Sequence, residues 1–182
     1  MKSKLLLAVL ALQCAVILGT VGVQELKLDQ GRVVLLETQP VDPRDLLRGD
    51  YVALNYTIST IQWGRFTPPL SGEVEAGTGV FVALAPAKNH FYVVARASTA
   101  SFSAGPGEVL LSGKIRYSWS KSTPPSVRVD YGLERFYVRE GTGNPTGKLT
   151  VRAAVPASGR AIIKEVLVNG IPYAEAMKKQ EP

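Results

Sequence analysis

Leu46 to Tyr56 reads LLRGDYVALNY, and how this stretch is understood decides the rest of the chain. Gly49 offers the backbone freedom of a tight turn, and Asp50 offers a short carboxylate that accepts hydrogen bonds from turn amides. After the turn, side chains alternate in the manner of a strand, where successive residues point to opposite faces. Val52, Leu54, Tyr56 and Ile58 make the apolar face, and Asp50 shares their parity. A carboxylate at the mouth of a core-facing strand has two readings: it fixes the turn, or it does chemistry.

The same period of two recurs along the chain. RVVLLETQ (Arg32 to Gln39), YVALNYTIS (Tyr51 to Ser59), GVFVALAP (Gly79 to Pro86), FYVVARAS (Phe91 to Ser98) and EVLLSGKIRYSW (Glu108 to Trp119) are short and rich in β-branched or aromatic residues, as are SVRVDYG, RFYVRE, KLTVRAAV and RAIIKEVLVNG further on. Turn formers such as TPPLSG, SAGPGE, STPPS and PASG separate them. Regularly spaced short strands predict one all-β barrel or sandwich of mostly antiparallel strands, the size expected of a single domain in 182 residues. Beyond the uncharged run near the amino terminus, helix is expected only as a turn at DPRDLL and a short element at YAEAMKKQ.

Ahead of the strands, Leu5 to Val23 is free of charge. As a helix it spans about 28 Å, close to the ~30 Å hydrocarbon layer. Its length favours a retained anchor over a cleaved leader, and Lys2 and Lys4 before it place the amino terminus in the cytoplasm. The expected organisation is an anchor over residues 1–24, an exported β domain over 25–176 beginning with a short link at Gln24–Gln30, and a loose tail from Met177. Cys14 lies inside the apolar run and lacks the small preceding residue that a lipidated cysteine needs.

Counts narrow the chemistry. One cysteine and one histidine, His90, leave no internal disulfide, no histidine triad and no multi-histidine metal site. No cofactor and no metal site is expected. The net charge of +6 becomes 6 − 2 = +4 without Lys2 and Lys4. Its basic residues are scattered, so no nucleic-acid surface is expected.

A second stretch, DYGLERFYVREGTG (Asp130 to Gly143), places Glu134 in phase with Phe136 and Val138, and Arg135 and Arg139 in phase with Tyr131, Leu133 and Tyr137. If Asp50 and Glu134 converge they form a carboxylate pair able to work as acid and base or to hold a divalent cation; if each meets an arginine, Arg48 or Arg135, they are structural ion pairs. Trp63 and Trp119 flank loops rich in Pro, Ser and Thr, either as core packing or as exposed anchors for a partner or a membrane interface.

GDYVALNY, from Gly49 to Tyr56, resembles letter for letter the defining pattern of the GDYxxLxY family of bacterial membrane-anchored proteins. YGLERFYVREGTG is similar to a downstream motif of that family, with Tyr131, Gly132, Glu134, Arg135, Glu140 and Gly141 at its marked positions. The resemblance spans essentially the whole chain. It implies a tethered exported domain without an assigned activity, often encoded beside a multi-spanning membrane protein, and makes Gly49, Asp50, Tyr51, Leu54 and Tyr56 the companion motif residues. DPRDLLRGDYVAL also resembles a stretch of type I signal peptidases, but only Thr38 stands near the position of their nucleophilic serine, and Lys114 alone is not a site. The expected function is therefore a non-enzymatic domain that binds a membrane partner, with an envelope hydrolase or a ligand- or divalent-ion-binding domain on Asp50 and Glu134 as the alternative.

Overall fold

The computed structural model describes residues 2–39, 51–70, 72–139 and 145–179, with the side chains of α1 described at Lys4 and over 9–23. Gly49, Asp50, Glu140 and Gly141, and the turn expected at DPRDLL, lie outside the described residues.

The protein is mostly β, in antiparallel sheets that form a nearly closed barrel. A long helix α1 (Lys2–Gln30) is followed by strands β1 (Arg32–Gln39), β2 (Tyr51–Ala53), β3 (Asn55–Tyr56), β4 (Thr60–Gln62), β5 (Gly79–Pro86), β6 (Tyr92–Ser98), β7 (Val109–Trp119), β8 (Ser126–Asp130), β9 (Arg135–Tyr137), β10 (Leu149–Val155), β11 (Ile162–Val168) and β12 (Ile171–Pro172), and by a short helix α2 (Tyr173–Lys178). One five-stranded sheet has the order β12-β11-β10-β1-β3, the other β4-β8-β7-β5-β6, and β2 pairs with β9 as a separate ribbon. All three share one core.

Alternation builds that core as expected. Val34 and Leu36 of β1, Val80 and Val82 of β5, and Leu111 and Ile115 of β7 point inward and are fully buried or nearly so. The GDY stretch keeps its expected face, with Val52, Leu54, Tyr56 and Ile58 all buried. The expected single strand over Tyr51–Ser59 is instead broken. It pairs with β9 as β2, then with β1 as β3, and coils into a 3-10 turn at Thr57–Ser59, because its two halves face different partners.

The expected link at Gln24–Gln30 is helical, so α1 runs to within one residue of β1. Among the described residues no helix is long and apolar enough to cross a membrane; of the uncharged run Leu5–Val23, the described side chains cover 9–23. The short helix expected over YAEAMKKQ is α2, and it buries Ala176 and Met177 against the barrel, so Met177 belongs to the core rather than to a loose tail.

Two departures from plain alternation matter below. β7 bulges against β8 between Ile115 and Tyr117, so that Arg116 is an extra residue. Gly113 of β7 sits where β8 turns toward Tyr131, and a Cβ there would lie 2.6 Å from Val129 Cγ1, 2.8 Å from the Asp130 carbonyl and 3.1 Å from Tyr131 Cδ1. The backbone carbonyl cannot give way as a side chain can. Gly113→Ala is therefore expected to lower stability by about 1–3 kcal/mol, an overpacking cost, measured as a fall in the urea midpoint. Gly79→Ala, where nothing lies within 4 Å of the new methyl, should leave the midpoint in place.

Candidate functional site

The two motifs meet. β2 and β9 are antiparallel, with Tyr51 opposite Tyr137, Val52 opposite Phe136 and Ala53 opposite Arg135. Beyond β2 the contact continues, as the Leu54 N–H donates to the Glu134 carbonyl at 2.8 Å.

Beneath the ribbon, two tyrosines bind the two segments reciprocally. The Tyr56 hydroxyl donates to the Leu133 carbonyl, and the Tyr131 hydroxyl donates to the Ile58 carbonyl, each at 2.8 Å and each buried. The acceptors are backbone groups of irregular segments, which have no ladder partner and must be satisfied when buried. Phenols suit the task because they carry a donor at the tip of a large apolar body.

Glu134 shapes the turn that presents Leu133. Its Oε1 accepts the Tyr131 N–H at 2.6 Å, while Gly132 adopts φ +80, the left-handed region that glycine enters without a Cβ penalty. This turn corrects the face assignment read from alternation. Tyr131 and Leu133 are buried, whereas Arg135 and Tyr137, expected on the same face, are exposed. Glu134 meets a backbone amide rather than an arginine, and Arg135 stacks on Tyr51. Whether Asp50 approaches Glu134 lies outside the described residues, as do Gly49, Glu140 and Gly141.

The ribbon has two faces. Inward, Val52 is buried and Phe136 meets the Tyr173 ring of α2 edge-on, with centroids 5.3 Å apart. Outward, Tyr51 and Tyr137 are tilted against each other at 6.0 Å, and the Arg135 guanidinium lies 5.2 Å from the Tyr51 ring centre. Tyr137 is 70% exposed. Tyr137 was not singled out in the sequence as a site residue; its signal, visible only with the pairing known, is that it faces Tyr51. Gly113, which makes room for the Tyr131 ring, has the sequence signal of a lone glycine inside a strand.

Burial, and secondarily the negative charge of Glu134, pushes the Tyr56 and Tyr131 phenols far above their ordinary range, with Arg128 opposing the shift at Tyr131. Thr38, the only hydroxyl near the position of a peptidase serine, is buried and donates to the Leu149 carbonyl at 2.6 Å. Among the described residues no group of three or more His, Cys, Asp or Glu is placed to hold a metal ion.

The tyrosine pair predicts both a mutational and a pH effect. Tyr56→Phe or Tyr131→Phe strands a buried carbonyl and should cost about 1–3 kcal/mol each in chemical denaturation. In the unfolded chain these phenols titrate near 10.0, and in the fold they stay protonated well beyond that. Their contribution is complete below the unfolded value. As pH rises past it, the unfolded chain releases protons that the folded chain retains, and stability falls by up to about 1.4 kcal/mol per pH unit for each tyrosine. The urea midpoint should fall steeply above about pH 10, and less steeply in Tyr131→Phe.

A family model described as GDYXXLXY protein matches residues 13–166. No curated protein and no solved structure matches the chain.

Proposed function

The chain belongs to the GDYXXLXY protein family, and from that premise we propose that it is a non-enzymatic recognition domain, tethered to the cytoplasmic membrane by α1, whose β2–β9 ribbon docks an extracytoplasmic part of a multi-spanning membrane protein. The observation that carries the reading is the outward stack of Tyr51, Arg135 and Tyr137. Tyr and Arg are the residue types that dominate binding hot spots. Here they are already ordered against one another, so binding costs little side-chain entropy. Among the described residues β2 and β9 pair only with each other, and a strand edge is a surface to which a partner can add a strand.

The tether rests on the helix. Val9, Leu10, Leu12, Val16, Ile17, Leu18, Val21 and Val23 are each about half exposed or more, on every side of α1. A helix that is apolar all round belongs in an apolar surrounding. Its Thr20 hydroxyl donates to the Ile17 carbonyl at 2.7 Å and so needs no water. The helical continuation through Gln30 adds about 10 Å of stiff stalk. β1 then carries the chain about 20 Å from Arg32 to Thr38, where it meets Tyr56. On this reading the ribbon stands well above the bilayer, and the surface it meets projects from the membrane.

Support for a non-enzymatic role comes from Glu134 and Thr38, whose polar atoms hold the backbone. The experiment is purification of the tagged full-length protein from native membranes in mild detergent, with partners identified by mass spectrometry. A stoichiometric membrane partner is expected with the wild-type chain and is expected to be lost with Tyr137→Ala and with Arg135→Ala at unchanged thermal midpoint. A partner set identical in wild type and both variants overturns the docking role. Full-length protein that leaves the membrane pellet in alkaline carbonate overturns the tether.

A further inference from the structure

At the opposite end of β7 from its start, the barrel carries an open groove of about 550 Å³ lined by Glu73, Val74, Glu75, Ala76, Tyr117, Ser118 and Trp119. It is distinct from the ribbon and shares no residue with it. Three observations converge on it.

The first is the bulge at Arg116. Val109, Leu111 and Ile115 point inward, and an unbroken strand would send Tyr117 and Trp119 after them into the core. The extra residue reverses their direction, leaving Tyr117 50% and Trp119 45% exposed, with ring centroids 6.1 Å apart. Bulges re-aim side chains in this way at the cost of a ladder bond, and here two large aromatics are delivered to water.

The second is charge. Among the described side chains, Glu37 pairs with Lys148, Glu108 with Arg96, Asp130 with Arg116, Glu165 with Arg152 and Glu175 with Lys179, while Glu134 holds the Tyr131 amide. Glu73 and Glu75 have no such partner. In a chain of net charge +6, the two unpaired carboxylates belong to residues that line the same groove as the exposed rings.

The third is that this surface already holds a cation. Aromatic faces attract cations through the ring quadrupole. The Tyr117 ring already takes the Arg116 guanidinium at 5.2 Å on this chain.

We infer that the groove binds a cationic peptide segment, with an arginine or lysine side chain placed between the Tyr117–Trp119 pair and the Glu73 and Glu75 carboxylates. The position of the groove selects a peptide over a lipid headgroup. β7 begins next to Glu108, whose carbonyl accepts from Arg32 just past the end of α1, and its eleven residues carry the chain about 33 Å to Trp119. The groove therefore lies at the end of the barrel remote from α1.

The test uses the full-length protein in non-ionic detergent and fluorescein-labelled tetra-arginine, followed by anisotropy, with tetraglycine and tetraglutamate as controls. Tetra-arginine should bind saturably and the controls should not, although the protein's net positive charge opposes that order. Affinity should fall about tenfold or more in the double variant Glu73→Gln/Glu75→Gln, which removes two charge-assisted contacts, and again in Trp119→Ala. The double variant, altered only at exposed unpaired side chains, should keep the wild-type thermal midpoint. Absence of saturable binding, binding unchanged in the double variant, or binding unaffected by Trp119→Ala overturns the proposal. Competition by phosphoethanolamine as effective as that by unlabelled tetra-arginine overturns the peptide in favour of a headgroup.

Discussion

Two hydrogen bonds, Tyr56 to the Leu133 carbonyl and Tyr131 to the Ile58 carbonyl, join segments 77 and 73 residues apart in the chain. Each tyrosine crosses to the other's segment, so neither stretch can shift along the other without stranding a buried donor and a buried acceptor. Water cannot replace either partner at this depth, and an unpaired polar group there is costly. The ribbon above depends on this clasp, since β2 and β9 have three residues each and a two-stranded ribbon is marginal without something to pack on. Val52, Phe136 and Tyr173 supply that packing, and the clasp sets the register that lets them meet.

The motif residues described thus divide by depth. Leu54, Tyr56, Tyr131, Gly132 and Glu134 make the interior and the turn, while Tyr51 and Arg135, with Tyr137, make the surface. A short pattern can serve both because strand residues alternate: the inward members fix the ribbon against the barrel, and the outward ones are then held in a single arrangement. Glu134 is the clearest instance of chemistry spent on architecture. Its carboxylate caps a backbone amide, its carbonyl accepts from Leu54, and its charge adds to the burial that keeps both phenols protonated.

Ribbon and groove differ in how they come to be exposed. The ribbon's outer face follows from pairing alone. The groove's aromatics are exposed because one residue too many at Arg116 reverses a strand that begins as a core strand. Together with α1, which meets β10 and whose side chains described over 9–23 are all exposed, they are the apolar and aromatic surfaces that the barrel core leaves uncovered.

By itself, the sequence determined the antiparallel β architecture, most strand positions, the inward face of the GDY stretch, the apolar helix and the absence of a histidine or cysteine centre, because these depend on local period and on counts. The stretch Tyr51–Ser59 breaks where its partner changes, which alternation cannot register, and Arg135 and Tyr137 turn outward because Gly132 enters the left-handed region, to which alternation is equally blind. Only the tertiary structure decided that the two motifs pair, that Glu134 binds an amide rather than an arginine, and that Tyr117 and Trp119 turn outward. The physical reason is the same in each case: pairing, bulges and buried hydrogen bonds are settled between residues far apart in the chain, where a periodic pattern in one segment holds no information about the segment opposite.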